Sequence, residues 1–213
     1  MSKKSIASFL LASALVLILS SCQAAATEKL YPHSFDTAKI TYAISGQSTG
    51  ERVAFIRGNN SFVETHAART NNGVEEKLDM ITIVSGEYLY QIDLNTKTGS
   101  QTKYPIYAEL VKLPASERAN FLTKVAVGLA ENSTQQPQPK EQKDIAGKKC
   151  DLYALGTVGE ICLWDGIALY SKMEIPQSGV SDIMTATNIE TGLEIADQKF
   201  EIPNGIKMQD LSR

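Results

Sequence analysis

The chain has 213 residues, with 21 Lys and Arg against 24 Asp and Glu and a net charge of −3. A mildly acidic chain without a long basic run is a poor partner for nucleic acid or an anionic membrane surface, both of which reward clustered Lys and Arg. Its length suits one domain with enough core to fold unaided.

Lys3 and Lys4 precede an apolar run from Ile6 to Ser20 that is too short to span a bilayer comfortably and is followed by small residues. That is the layout of a secretory signal. No later apolar stretch approaches the roughly 18 residues of a membrane helix. The run ends in Leu19-Ser20-Ser21-Cys22, which resembles the lipobox of bacterial lipoproteins. The resemblance implies that residues 1–21 are removed and that Cys22 becomes an acylated first residue, anchored in the membrane by chains such as palmitate. Each buried methylene adds about 0.8 kcal/mol, so more than one chain anchors stably. The alternative is an ordinary signal cleaved near Ala24-Ala25-Ala26. Gln23, where an aspartate would resemble the inner-membrane retention signal, favours the outer membrane, facing the periplasm. Residues 22–34 read as a tether, and 35–213 as the domain.

From Lys39 the apolar period is two. Ile40, Tyr42 and Ile44 share a face; after Gly46 to Gly50 the alternation resumes at Val53 and Phe55. Gly58-Asn59-Asn60 and Asn71-Asn72-Gly73 are turn signals around the next strand. Leu78, Met80, Thr82 and Val84 alternate with Ile81 and Ile83, and shorter strands follow at Tyr88 to Asp93 and Ser100 to Lys103. Short loops between about six strands predict an antiparallel meander.

Pro105 to Leu113 then predicts a short helix, and Pro114 to Glu131 a longer one with Ala115, Ala119, Leu122, Ala126 and Leu129 on one stripe, widened by Phe121 and Val125. The stripe is either a lid over an apolar pocket or plain packing on the sheet. Residues 132–143 contain no apolar side chain and read as a mobile polar loop.

Strands return at Lys148 to Leu155 and Glu160 to Trp164. A hairpin centred on Gly156 would set Cys150 directly opposite Cys162, with Cβ atoms roughly 4.5–5.5 Å apart, near disulfide spacing. In an oxidising compartment the pair reads as a bridge contributing about 3 kcal/mol. Without nearby histidines it matches neither a zinc motif nor a Cys-x-x-Cys oxidoreductase. Asp165-Gly166 turns into Ile167 to Ile175, and Ile183 to Glu190 forms a further strand.

The order of meander, helices and loop, followed by Ala-Gly-Lys-Lys-Cys-Asp-Leu-Tyr (146–153), Gly-Ile-Ala-Leu-Tyr-Ser-Lys-Met-Glu-Ile (166–175) and Phe-Glu-Ile-Pro-Asn-Gly (200–205), resembles the LolA/LolB-like outer-membrane lipoprotein-sorting superfamily over most of residues 35–210. The resemblance implies an α+β fold: a strongly curved antiparallel sheet, or half-open barrel, with helices plugging its concave face. Some members bind lipoprotein acyl chains, and a related domain senses envelope stress.

Catalytic signatures are missing: there is no Gly-x-Ser-x-Gly elbow, no His-Glu-x-x-His and no phosphate-binding glycine loop. His33 precedes the domain and His66 ends a strand; both read as surface residues. Glu75-Glu76 reads as a solvated strand end. The expectation is a binding protein and not an enzyme, with no cofactor and no metal. Its partners would be the membrane and a lipid or lipoprotein acyl chain, held by burial of about 25 cal/mol per Å². Candidate lining residues are Phe55, Phe62, Leu122, Leu129 and Trp164. The alternatives are an envelope interaction or scaffold module without a ligand, and a stress-sensing partner of an inner-membrane regulator.

Overall fold

The computed structural model describes residues 29–71, 74–129, 134–175 and 180–212; Cys22 and the expected leader lie outside them. Six strands come first: β1 (Thr37–Gly46), β2 (Ser48–Arg57), β3 (Asn60–Asn71), β4 (Val74–Ser85), β5 (Tyr88–Asp93) and β6 (Thr98–Lys103). Helices α1 (Pro105–Lys112) and α2 (Ala115–Ala126) follow. The second half holds β7 (Glu141–Ile145), β8 (Lys148–Ala154), β9 (Gly159–Trp164), β10 (Ile167–Ile175), β11 (Val180–Thr191), a single 3-10 turn (Asp197–Phe200) and β12 (Lys207–Asp210).

All twelve strands join one curved open sheet, in the order β12-β6-β5-β4-β3-β2-β1-β11-β10-β9-β8-β7. The expected six-strand meander is present, and the α+β class holds. The two halves meet where β1 pairs with β11, Ala38 opposite Thr191 and Gly46 opposite Asp182. Among the described strands only β12 runs parallel to its neighbour, β6. Among the described residues no helix is long and apolar enough to cross a membrane.

Strand alternation gives the sheet two faces. On the first, Ala38, Ile40, Tyr42, Ala54 and Ala186 form a core with Leu152, Leu169 and the two cysteines. On the second, Phe62, Ile81, Ile83 and Ile92 are covered by the segment that leaves β11, through Ile195 and Phe200. That segment crosses the sheet before β12 docks on β6, and Arg57 holds it by pairing with Asp197 and donating to the Ile195 carbonyl at 2.7 Å.

The second helix is shorter than its periodicity suggests, and only the later part of the expected stripe faces inward. Gly128, at φ +73°, follows its last turn; Leu129 N–H bonds the Lys124 carbonyl at 2.9 Å and Gly128 N–H that of Val125 at 3.1 Å. This Schellman pattern ends the helix at Ala126, because a left-handed residue cannot continue it. Ala115 and Ala119 are exposed, whereas Arg118, Phe121 and Lys124 are buried. Arg118 turns inward to satisfy the end of α1: its Nε donates to the carbonyls of Leu110 and Leu113, each at 3.1 Å.

Two further expectations change. Residues 141–143 are not loop but the start of β7, whose backbone pairs with β8 from Glu141 opposite Leu152 to Ile145 opposite Lys148. Its Ala146-Gly147 turn has both φ angles positive, which suits a tight hairpin. The Cys150–Cys162 disulfide is present with Cα atoms 5.4 Å apart, but Cys162 stands opposite Leu152. The hairpin is centred one residue later than Gly156, so the cysteines are diagonal neighbours on one face.

Candidate functional site

A cavity of about 340 Å³ lies between α2 and one end of the first face. Its floor is Ile56, Ser61 and Val84, which the β2–β3–β4 register places in one row. Leu122, Val125 and Ala126 of α2, one turn apart, form the roof, and Ile106 and Ile167 close the sides. The walls are mainly apolar, and Tyr31, His33, Tyr104, Asn59 and Asn60 bring polar atoms to them.

The polar wall comes from the segment before β1. Residues 29–34 fall within the expected tether, yet they pack on the domain: Leu30 is buried, its N–H donates to Asn59 Oδ1 at 2.8 Å, and Arg118 donates to the Lys29 carbonyl at 3.2 Å. Alternate side chains of this extended segment face one way, so Tyr31, His33 and Phe35 stack at centroid spacings of 6.0 and 5.1 Å. Phe35 continues the stack onto Trp164 at 5.4 Å, and the Lys148 ammonium caps Trp164 at 5.1 Å. A cation over an indole face is attracted by the ring quadrupole.

His33 is therefore not a surface residue. Its Nδ1–H donates to the Asp165 carbonyl at 2.7 Å, leaving Nε2 as the unprotonated nitrogen of the neutral ring. Burial lowers its basicity, outweighing the opposing pull of Asp165. Ser34 N–H donates to the Asp165 carboxylate. Asp165 can reach both groups because it sits at φ +53° in the Asp165-Gly166 turn. Tyr31 carries a buried hydroxyl with no well-aligned hydrogen-bond partner among the described residues, although Tyr104 lies beside it. Burial, then the neighbouring Tyr104, drives its ionisation far above the ordinary phenol range.

Of the five residues expected to line a cavity, the structure brings only Leu122 to this one. Trp164 stands beside it in the aromatic stack. Leu129 borders a separate cavity of about 330 Å³ with Pro137 and Tyr153. Phe55 and Phe62 lie on the opposite face, edge to face at 6.3 Å, with the Lys199 ammonium 3.9 Å from the Phe62 centroid. Ile56 and Val84 were legible as the partners of those positions in alternation; Tyr31 and His33 carried no signal beyond their every-other spacing. His66 is exposed but lies within β3, its Nδ1 2.9 Å from Asp79 and its Nε2 3.2 Å from Glu64. Among the described residues no group of three or more His, Cys, Asp or Glu converges as a metal site.

No protein-family model and no curated protein matches the chain. Among solved structures it is similar to a conserved protein from Thermus thermophilus, with a TM-score of 0.51 and 6% identity over 85% of this chain and 94% of that one. It also matches PNGF-II (TM-score 0.48, 13% identity, 84% of this chain and 32% of that one) and MucB (0.41, 11%, 84% and 61%). The first likeness shows a shared fold and says nothing of activity.

Proposed function

We propose that this chain is a periplasmic lipoprotein, anchored in the outer membrane through acylated Cys22, that holds a hydrophobic ligand under its helices. In this reading α1 and α2 plug a half-open barrel, and the ligand is a lipid or a lipoprotein acyl chain. The observation that carries it is the cavity of about 340 Å³ roofed by Leu122 and Val125. That size falls in the range of roughly 300–1,000 Å³ common for small-molecule sites, with apolar walls and few polar groups. The poorly aligned Tyr31 hydroxyl, with Tyr104 beside it, offers a hydrogen bond to a ligand's polar end. In this reading the site acts by binding.

Native mass spectrometry of the full chain, purified without detergent from a periplasmic fraction of Cys22→Ser cells, tests the reading. A co-purifying lipid mass that Leu122→Glu abolishes, with the circular dichroism unchanged, supports it. A bare protein mass unmoved by added lipid favours the interaction module instead. The anchor has its own readout: Cys22→Ser should lose labelled-palmitate incorporation.

A further inference from the structure

Beyond the helices the first face lies open, and the register shows its rows. Gly50 and Ala67 stand in one row between Ile44 and Leu78; Tyr42, Arg52 and Thr65 form the next. A Cβ on Gly50 would meet the His66 carbonyl oxygen at 2.1 Å, so no side chain can fill that place and the row stays low. The result is a groove of about 260 Å³, bordered by Ile44, Leu78 and Met184. Its Arg52–Thr65 row lies four residues along the strands from the Ile56–Ser61 row, or about 13 Å, and the groove is a different site from the cavity under α2.

Arg52 occupies the floor of this groove without a counter-ion. Its Nε donates to Thr65 Oγ1 at 3.0 Å and its Nη1 to Met184 Sδ at 3.2 Å, and among the described residues no carboxylate pairs with it. A thioether is a weak acceptor, so the outer edge of the guanidinium fork lacks a strong partner. The one carboxylate of the groove wall, Asp182, is engaged elsewhere, accepting from Ser48 N–H at 2.7 Å and Ser48 Oγ at 3.2 Å. Burial weakens the basicity of Arg52, against a smaller opposing effect of the neighbouring Tyr42. A planar carboxylate matches that fork with two parallel hydrogen bonds.

We propose that the groove binds a single-chain amphiphile by its carboxylate, with Arg52 pairing the head group and Ile44, Leu78 and Met184 covering the start of the apolar chain. The site stands on the unpaired cation and the low, apolar row beside it. It does not depend on what fills the cavity under α2.

Calorimetric titration of the full chain with dodecanoate and with dodecanol, each below its aggregation concentration, tests this. Wild type should bind dodecanoate at least tenfold more tightly than dodecanol. Arg52→Gln should remove that preference and leave dodecanol binding and circular dichroism unchanged. Leu122→Glu should keep the preference, which separates failure here from failure of the cavity reading. Equal binding of both probes, no dodecanoate binding, or an Arg52→Gln protein with undiminished dodecanoate affinity overturns the proposal. If Arg52→Gln does not fold, Arg52→Lys, which keeps the charge and loses the fork, should weaken dodecanoate several-fold; unchanged affinity overturns the proposal there too.

Discussion

On β3, Phe62 is 4% exposed beneath the Lys199 ammonium and the segment bearing Phe200, while its neighbour Ser61 opens onto a cavity of about 340 Å³. The same strand thus serves a filled face and an unfilled one. The difference lies in what covers them. The C-terminal segment lays Leu193, Ile195, Phe200 and Met208 directly on the second face, as a strap of apolar side chains. The helices span the first face with an inward arginine and a roof of Leu122, Val125 and Ala126, and leave a gap below. Close packing stabilises the fold; incomplete packing over apolar walls leaves space for another molecule.

The comparison breaks most directly by truncation on both sides. Phe62→Ala should cost about 3–5 kcal/mol in urea unfolding, as for buried aromatics in cores. Leu122→Ala should cost about 1 kcal/mol or less, because its side chain already borders empty space. Equal losses would mean that the first face is as filled as the second. Next in size is the disulfide beneath the first face. Its reduction should lower stability by about 3 kcal/mol on the chain-entropy estimate, and a Cys150→Ala/Cys162→Ala protein should show no further change on adding dithiothreitol. The smallest effects are those of the two histidines, and they have opposite signs.

His33, on the cavity side, has its folded pKa lowered by burial, so the unfolded chain takes up the proton more readily and stability falls as pH drops below about 6.5. His66 has its folded pKa raised, chiefly by its hydrogen bond to Asp79 and also by Glu64. Its contribution is fully present below about 6.5 and is lost as pH rises through the raised value. Melting temperatures at pH 7 and pH 5 should therefore converge in His33→Gln and spread in His66→Gln, relative to wild type. The His66 effect should be the weaker, since the ring is largely exposed to solvent screening.

The sequence made the strands legible and their covers illegible. Ile40 and Tyr42 against Lys39 and Thr41 mark a strand and its buried side in any fold, and Asp165-Gly166 marks a hairpin by its demand for positive φ. Phe55 and Phe62 were legible as large apolar residues on strands, yet nothing local says that residues 193–208 would return to cover them and leave Ile56 to the cavity. β7 escaped notice because Ile145 is its one apolar residue; an edge strand is held by its backbone ladder and needs little apolar signal. The face of α2 was legible in its second half, where Phe121, Leu122, Val125 and Ala126 turn inward as their period suggests, but not in its first, where Ala115 and Ala119 are exposed and Arg118 turns in to satisfy carbonyls of α1; Gly128 set the stop.

The pairing of β1 with β11 sets a schedule for folding. Ile40 must wait for Ile189, almost the whole domain later in the chain, and until then β1 is a bare sheet edge beside a finished meander. Pairings this distant in sequence form slowly, and such an edge invites a second chain to add itself. A polypeptide cut before Val180 would keep that edge permanently. The interval before β11 docks is when the folding chain most needs a chaperone.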